Sequence, residues 1–391
     1  MLLNKERALR IMSEKGLDAL ISTAQENNAY FGDVPVKGFC LFPLSLDATL
    51  IARALDAFTL AESASWIEDV RFYGLFHIVT SRATRLHGGE KRMNELISKG
   101  GLAKCNDPVD VLLESITQKG LESKTLGIDG TNMGLSQYEK LKKRLPNARL
   151  FDASEEIAWI RAVKTQQEIE NIRTVTKITE KGFDAVEKVA GKGVSEKELG
   201  VAFRKAVAKE EEVSIRFYTF LGGGRGAIPL APPSRYKLKK GDLIQLHGSL
   251  VYKYYHSDLA RGAVVGKPSK KQIKTWKAIV KGEEKVIESI RPGIKASELF
   301  KIGVQTVRNA GLTGYERWHT GHGVGLAPIP NYDPPTLAPS DNREIEKNMV
   351  LCIETPYYEI GFGGMNLEDT GVVTQKGFRL LSSHRAELKI V

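Results

Sequence analysis

Five side chains in the C-terminal half of the chain are of the types that bind metal ions. They are His247, Asp258, His322, Glu354 and Glu368. Mixed imidazole and carboxylate ligands suit a divalent transition metal, here Mn, Fe, Co or Zn. Most of these residues stand in apolar or glycine-rich segments, where a carboxylate is costly to bury unless something neutralises it, as a metal would. The sequence therefore predicts a buried metal centre.

Four short segments carry these residues, and their order resembles that of a known enzyme family. The segments are residues 247–258, 321–325, 353–356 and 367–370, and the run over 237–244 is similar to the strand that precedes the family's first ligand. Together they resemble the pita-bread metallopeptidases, which include aminopeptidase P, prolidase, methionine aminopeptidase and the related creatinase. The resemblance covers most of the chain. It implies an α/β N-terminal domain followed by an α+β pita-bread catalytic domain.

The main departure from this family is at the first metal ligand. The family has an aspartate eleven residues before a second aspartate, whereas this chain has His247 before Asp258. The resemblance implies that Asp258, His322, Glu354 and Glu368 complete one metal site and that His247 alters its neighbour. We therefore expect one bound metal and leave undecided whether a second metal binds. Two alternatives are that His247 is a hydrogen-bonded core histidine and that the set holds no metal, as creatinase works without one.

Several polar groups that the family's metallopeptidases usually place around the metals are replaced here. The matching positions hold Leu230, Trp318, Ile329 and Asn366. In the family such groups orient the substrate and stabilise the tetrahedral intermediate, as an oxyanion hole does. Their replacement predicts an altered substrate and weak turnover of Xaa-Pro peptides.

Two histidines close to the motifs are candidates for the missing roles. His256 lies two residues before the aspartate ligand, and His319 lies three residues before the histidine ligand. We predict that both act in catalysis, and the alternative for each is a hydrogen-bonded structural histidine. For substrate binding we predict Trp318 and Arg225, the cation of the glycine-rich loop 221–226. The alternative for this loop is a plain hairpin connection.

The expected reaction is metal-dependent hydrolysis with Glu354 as the general base and proton shuttle. The resemblance implies removal of an N-terminal residue before proline, or cleavage of an Xaa-Pro dipeptide. A non-peptide lyase or amidinohydrolase on the same fold is one alternative, which the altered ligand and the missing histidines favour. A non-catalytic binding protein is another, which four matching ligands disfavour. The partner is thus a short peptide or another small molecule.

Composition indicates a globular protein large enough for two domains. The chain has 391 residues and a formal net charge of +10, with lysines scattered among glutamates. We therefore expect a solvated surface and no nucleic-acid partner. No apolar run approaches a membrane span, so we expect no membrane partner. Three widely spaced cysteines indicate a reducing cytoplasm, and the resemblance implies a homodimer.

The hydrophobic pattern places a domain boundary between residues 1–155 and 156–391. The first domain begins with helical spacing over 5–15, ended by Gly16, and then alternates helices with short strands. This alternation predicts an α/β layer architecture. The predicted strands in this domain are 17–22, 48–52 and 125–130.

The second domain begins with a long amphipathic helix through residues 169–183 and becomes rich in strands after residue 213. A strand from Lys240 through His247 is expected to form a hairpin with a return strand over 252–258. Residues 272–310 predict two helices separated by an Arg-Pro-Gly turn.

Overall fold

The structure of the protein is a computed structural model. It describes residues 1–63, 65–74, 85–100, 105–326 and 332–391, and for 97–100 it describes the backbone alone. The chain folds as two compact units, Met1–Arg161 and Ala162–Val391. The boundary that we predicted after residue 155 falls inside the helix Ser154–Ala162.

The first unit is an α/β layer built on a mixed six-stranded sheet, as predicted. The strand order is β4-β3-β2-β1-β5-β6, with antiparallel pairing from β1 to β3 and parallel pairing elsewhere. The strands are β1 (Ala19–Ser22), β2 (Gly38–Pro43), β3 (Thr49–Arg53), β4 (Asp69–Tyr73), β5 (Thr125–Ile128) and β6 (Arg149–Asp152). The helices are α1 (Lys5–Lys15), α2 (Gln25–Gly32), α3 (Ala57–Glu62), α4 (Gly88–Gly100), α5 (Pro108–Gln118), α6 (Leu135–Arg144) and α7 (Ser154–Ala162).

Local signals account for the elements that were predicted in this unit. Helix α1 begins where the Asn4 side chain accepts the Arg7 backbone N–H, and it ends at Gly16, whose φ of 64° is left-handed. Strand β1 is buried along its whole length, as expected for an apolar run inside a sheet. The predicted strands at 17–22, 48–52 and 125–130 are confirmed as β1, β3 and β5.

The second unit is an α+β assembly around a ten-stranded sheet. Its main path is β12-β11-β13-β16-β10-β8-β7, to which β9, β17 and β18 add at the sides. Its helices are α8 (Gln166–Val189), α9 (Glu196–Val207), α10 (Lys270–Ser289) and α11 (Ala296–Asn309). Its strands are β7 (Val213–Gly222), β8 (Leu243–Tyr252), β9 (Tyr255–His256), β10 (Leu259–Val264), β11 (Gly321–Gly323), β12 (Asp333–Thr336), β13 (Val350–Glu354), β14 (Tyr357–Glu359), β15 (Gly363–Met365), β16 (Glu368–Thr374), β17 (Gly377–Leu380) and β18 (Lys389–Ile390).

Helices cover the sheet of the second unit because they carry apolar faces of helical spacing. Helix α8 confirms the predicted long helix, and α10 and α11 confirm the predicted pair. Phe183 of α8 and Phe203 of α9 pack against Phe220 of β7, with ring centroids 5.2–6.0 Å apart. This core supports the strands from which the candidate site is built.

Two details of the second unit differ from the prediction. The return strand expected over 252–258 is only the short β9, and regular pairing resumes at Leu259. The Ser257 hydroxyl takes the Leu250 backbone N–H at 3.0 Å, so a side chain replaces a ladder hydrogen bond just before Asp258. The glycine-rich loop connects the antiparallel neighbours β7 and β8, and its residues Gly223–Ala227 form a 3-10 helix. None of the helices described is long and apolar enough to span a membrane.

Candidate metal centre

The sheet of the second unit brings all five predicted ligands to one place. Strands β8, β11, β13 and β16 carry His247, His322, Glu354 and Glu368, and Asp258 directly precedes β10. All five side chains are buried or nearly so. The register of β13 with β16 sets Glu354 directly opposite Glu368. We refer to these five residues as the front cluster.

Three members of the front cluster offer ligand atoms that lie within 4.8 Å of one another: His247, Asp258 and Glu368. Nε2 of His247 is 3.2 Å from Oδ1 of Asp258 and 3.3 Å from Oε2 of Glu368. Nε2 carries at most one hydrogen, so it cannot satisfy both carboxylates. Oε2 of Glu368 is accordingly buried without a hydrogen bond.

His322 presents its Nε2 atom to the same place. Its Nδ1 lies 3.0 Å from the Gly323 carbonyl oxygen, to which it donates, and Nε2 lies 3.7 Å from Oδ2 of Asp258. A backbone acceptor on one ring nitrogen leaves the other as the lone-pair donor that a metal needs. The glycines on both sides are required because a Cβ at Gly321 or Gly323 would collide with carbonyl oxygens of the neighbouring strands.

Glu354 lies between a like charge and two basic groups. Burial raises the pKa of its carboxyl, and the charge of Glu368 raises it further, to about 7. Nδ1 of His319 is 3.1 Å from Oε1 of Glu354, and Nη2 of Arg317 is 3.5 Å from Oε2. Burial lowers the pKa of His319 to about 4. Glu354 is thus the group of this site whose pKa lies in the range where a general base works.

The other members of the front cluster stabilise each other's charged forms. Burial disfavours the charge on His247, but Glu368 and Asp258 outweigh it and hold the pKa of His247 well above its usual value. Burial likewise disfavours ionised Asp258 and Glu368, but the hydrogen bond of His247 to Asp258 and its positive charge beside both residues keep the pKa values of the two carboxyls low. These carboxylates are therefore ionised in spite of their burial.

The donor set fits a divalent cation. Three buried carboxylates converge, and the cations that face them include His247, the guanidinium of Arg317, and Arg216, whose charge acts on Asp258. Two imidazoles with three carboxylates match the mixed N and O ligand sets of transition metals. The buried Oε2 of Glu368, which has no hydrogen bond, is the atom that a cation would satisfy.

The two predicted catalytic histidines occupy different surroundings. His319 contacts Glu354 and accepts the Gly321 backbone N–H through Nδ1. His256 is buried, its Nε2 has no hydrogen-bond partner, and burial with the charge of Arg216 holds its pKa well below the usual value. Nε2 of His256 makes no hydrogen bond, and a catalytic role for His256 stays a prediction.

The two predicted substrate-binding residues also have different surroundings. Trp318 is 64% exposed, and its ring centroid is 4.0 Å from that of His319, so it stands at the rim of the front cluster. Arg225 is placed elsewhere: Nε donates to Glu196 at 3.1 Å, and Nη2 donates to the Pro232 carbonyl oxygen. With its guanidinium held by Glu196, the substrate role of Arg225 stays a prediction.

The positions where family histidines and an arginine are replaced also have defined surroundings. Leu230 is 62% exposed. Asn366 is buried, and its Nδ2 donates to Oε1 of Glu368 at 2.6 Å, so it orients a predicted ligand. Ile329 lies outside the described residues.

Arg317 is the functional candidate that sequence reasoning missed. Its guanidinium lies 5.8 Å from the ring of Tyr358 and 3.5 Å from Glu354, and its buried Nε has no hydrogen-bond partner. A side chain held by an aromatic ring, with an unused donor beside a reactive carboxylate, is prepared to bind an oxygen. The signal in the sequence was a cation five residues before His322, in a chain that has Asn366 where the family often has arginine.

A buried cluster of this composition on a strand-built scaffold defines a metal-dependent hydrolase, and comparisons with known proteins agree. Residues 170–375 match the family model of metallopeptidase family M24, and residues 5–163 match that of the creatinase/prolidase N-terminal domain. The chain therefore belongs to metallopeptidase family M24. This membership implies dependence on a divalent metal.

Named relatives extend over nearly the whole chain. The Xaa-Pro dipeptidase of Pyrococcus furiosus is 28% identical over 385 residues, which cover 98% of each protein. The solved structure of an Xaa-Pro dipeptidase from Bacillus anthracis superposes with a TM-score of 0.83 at 22% identity, covering 99% of both chains. An X-Pro aminopeptidase structure from Thermotoga maritima has a TM-score of 0.77 at 19% identity, again covering 99% of both. These structures confirm the pita-bread fold.

Proposed function

We propose that this protein hydrolyses short peptides at one metal centre formed by Asp258, His322, Glu354 and Glu368, with His247 as a further ligand. The observation that carries the proposal is the convergence of three buried carboxylates on two imidazoles. The names of its relatives, Xaa-Pro dipeptidases at 26–28% identity, support a peptide substrate.

Glu354 is the proposed general base. A divalent metal bound here would supply a Lewis acid and lower the pKa of a bound water. The Glu354 carboxylate would take the proton from the attacking water and pass it to the leaving amine. Nδ1 of His319, which accepts the Gly321 N–H, lies 3.1 Å from Oε1 and would limit the positions open to the Glu354 carboxyl. Burial excludes bulk water, which strengthens each of these interactions.

Arg317 is the proposed stabiliser of the developing oxyanion. Family residues that serve this purpose are replaced here, and the Arg317 guanidinium lies 3.5 Å from the Glu354 carboxylate. Its unpartnered Nε and its contact with Tyr358 leave a donor free for the substrate. A guanidinium offers fixed N–H donors that match an oxygen anion.

The proposed substrate departs from the Xaa-Pro pattern. Exposed Leu230 and buried Asn366 stand where the family places polar groups, and Asn366 is already engaged with Glu368. We therefore expect weak turnover of Xaa-Pro dipeptides compared with other dipeptides. The same replacements favour, as a second candidate, a small non-peptide amide or amidine substrate on the same metal centre.

A substrate panel tests the proposal directly. Purified protein, reconstituted separately with Mn, Fe, Co and Zn, is assayed on Xaa-Pro dipeptides, other dipeptides and non-peptide amides, with Glu354→Gln as the inactive control. Turnover of dipeptides that requires metal supports the proposal. Metal-dependent turnover of non-peptides alone favours the second candidate. Fast Xaa-Pro turnover, on the order of 10 per second, refutes the altered preference.

Metal content tests the site itself. We expect one tightly held ion in the front cluster and weak or no binding of a second ion there. Imidazole at position 247 offers one donor atom, where a carboxylate offers two oxygens and a charge.

We further propose a cytoplasmic homodimer; the location is supported by the free cysteines Cys40, Cys105 and Cys352. Light scattering measures the oligomeric state.

A further inference from the structure

A second group of ligand-type side chains lies on the other face of strand β16. Glu283 of α10, Asp369 of β16 and His384, which follows β17, each offer a ligand atom within 4.8 Å of the others. Successive side chains on a strand point to opposite faces, so Asp369 points away from the face that carries Glu368. We refer to Glu283, Asp369 and His384 as the rear cluster.

The Glu283 carboxylate is the observation that points to a ligand. Its residue is 0% exposed, and both carboxylate oxygens are buried without a hydrogen-bond partner. A carboxyl group in this state loses its hydration and gains nothing in return, which makes it one of the costliest groups to bury. A cation bound to these oxygens would remove that cost.

Asp369 presents one oxygen to the rear cluster and has the other engaged. Its Oδ1 accepts hydrogen bonds of 2.8 Å from Nη2 of Arg261 and from the Ser382 hydroxyl. Its Oδ2 lies 2.6 Å from Nδ1 of His384. The second Arg261 nitrogen, Nη1, donates to two backbone carbonyls. Asp369 is thus held in place from one side while Oδ2 faces its two partners.

Negative charge dominates the surroundings of the rear cluster. Glu284 lies 3.3 Å from the imidazole, and Glu180 lies 3.5 Å from the guanidinium of Arg261. With Glu283 and Asp369 this makes four carboxylates, set against the guanidinium of Arg261 and the imidazole of His384, which both contact Asp369. At the low effective dielectric of a buried site, a bound cation lowers the electrostatic energy of such a set.

An aqueous route leads to the rear cluster. A cavity of about 450 Å³ is bounded by His384, Arg261 and Arg385, and also by Asp184 and Glu187. Arg385 is paired with Asp184 at 2.7 Å. Glu187 pairs with Arg385 as well, at 3.3 Å, and His384 joins the cavity to the rear cluster. An entry path of this kind is one requirement for a metal site.

We propose that Glu283, Asp369 and His384 form a second cation site, separate from the front cluster and suited to a divalent transition metal such as Zn²⁺. One imidazole and two carboxylates are ligands that Zn²⁺ accepts, and water from the cavity would complete a four-coordinate shell. The ion would tie helix α10 and the segment after β17 to strand β16, which also carries Glu368. Its role is to stabilise the strand, and it is not a reactant.

The decisive experiment removes the front cluster first. In the full chain, Asp258→Asn with His322→Ala abolishes front binding, and the protein is equilibrated with Zn²⁺ and analysed for metal content. We expect one ion per chain to remain. Adding Glu283→Gln or His384→Ala should weaken Zn²⁺ binding by more than the roughly 10–100-fold that loss of an outer partner costs. Matched controls are Glu288→Gln, exposed on the same helix, and the exposed His87→Ala.

Other outcomes of these measurements would contradict the proposed cation site. Absence of Zn²⁺ from the front-site variant, or Zn²⁺ that persists after both rear substitutions, overturns the proposal. If the front-site variant does not fold, His384→Ala alone should lower the metal content of the otherwise unaltered chain and shrink the rise in melting temperature that Zn²⁺ produces. Unchanged metal content in that variant overturns the proposal too. A Glu283→Gln chain that melts higher with and without Zn²⁺ would identify Glu283 as a buried neutral acid instead.

Discussion

The front and rear clusters meet at one strand but differ in how their charges are compensated. Glu368 points to the front, where Asp258 and Glu354 are its neighbours, and Asp369 points to the rear beside Arg261. The front carboxylates share His247 and remain partly unsatisfied. At the rear, Oδ1 of Asp369 accepts two hydrogen bonds, and both carboxylate oxygens of Glu283 lack partners.

The comparison shows that neighbouring residues of one motif point to separate clusters. In sequence, Leu367-Glu368-Asp369-Thr370 is a single segment, but strand geometry sends its two acids to opposite faces. The front cluster has a base of suitable pKa, an imidazole and an aromatic rim, whereas the rear cluster has no such rim among its described neighbours. Reaction chemistry is therefore expected at the front and structural binding at the rear.

Glu354→Gln should have the largest effect on turnover. Gln keeps the shape and one oxygen donor but cannot act as a carboxylate base, and loss of a general base costs roughly 10²–10⁴ in rate. In chelator the variant and the parent protein should melt at nearly the same temperature, because neither has metal bonds to lose. Turnover equal to that of the parent protein would falsify the role of Glu354 as the base.

Arg317→Gln should lower kcat by roughly 10²–10³, the cost of one oxyanion donor, with little change in KM or metal content. Arg317→Lys should restore part of the loss because it returns the charge without the fixed fork of donors. Arg308→Gln is a matched control on the neighbouring helix. A rise in KM with unchanged kcat would place Arg317 in substrate binding and remove it from the oxyanion role.

Rear substitutions should leave turnover within about threefold, even though we expect them to remove a metal ion. Glu283 and His384 touch neither Glu354 nor its partners in the described structure, so the reacting groups keep their positions. The measurement is kcat at saturating metal alongside metal content for Glu283→Gln and His384→Ala. A loss of turnover as large as that of Glu354→Gln would merge the two clusters into one functional site.

A third set of buried charged residues serves as a control for the two clusters, because its charges are already paired. Lys164 and Asp333 are fully buried and 3.1 Å apart, and Glu168 accepts the Thr165 backbone N–H and the Tyr255 hydroxyl. None of these charged atoms is without a partner among the described residues. We therefore expect no metal here and no effect of substitution on turnover.

The pH dependence of stability tests this third group. Burial, opposed by Lys164, raises the pKa of Glu168 to about 7, from about 4.3 in an unfolded chain. Between these values the folded state keeps a proton that the unfolded state has lost, so Glu168 makes the free energy of unfolding fall as pH rises. Relative to the parent, Glu168→Gln should gain roughly 1–3 kcal/mol between pH 4.5 and about 7. The check is urea unfolding in chelator, with the partly exposed Glu170→Gln as control; parallel pH profiles for parent and variant would contradict the expectation.

Much of the fold followed from short-range patterns. Helix α1 with its glycine end, the long helix α8, and the pair α10 and α11 each came from apolar spacing and local breakers. The return strand after β8 was predicted correctly in part: it pairs with β8 as β9 and β10, but it is interrupted where the Ser257 hydroxyl, and not a backbone group, takes the Leu250 N–H. The hydrophobic periodicity of a sequence does not show where a side chain competes with the backbone for a hydrogen bond of the strand ladder.

The sequence by itself determined which side chains were available for chemistry and their order along the chain. The types and spacing of His247, Asp258, His322, Glu354 and Glu368 were enough to predict a metal centre. When ligand residues lie on paired strands, the register of the strands fixes which ligands face each other, as β13 and β16 do for Glu354 and Glu368.

Only the tertiary structure decided how those side chains are used and which others join them. Arg317 approaches Glu354, and Glu283 meets Asp369 and His384, through packing of elements far apart in the chain. The guanidinium of Arg225, for which we predicted a substrate contact, is also a partner of Glu196. Partners of this kind depend on which faces become buried together, and the free energy of a buried charge depends on all its neighbours at once.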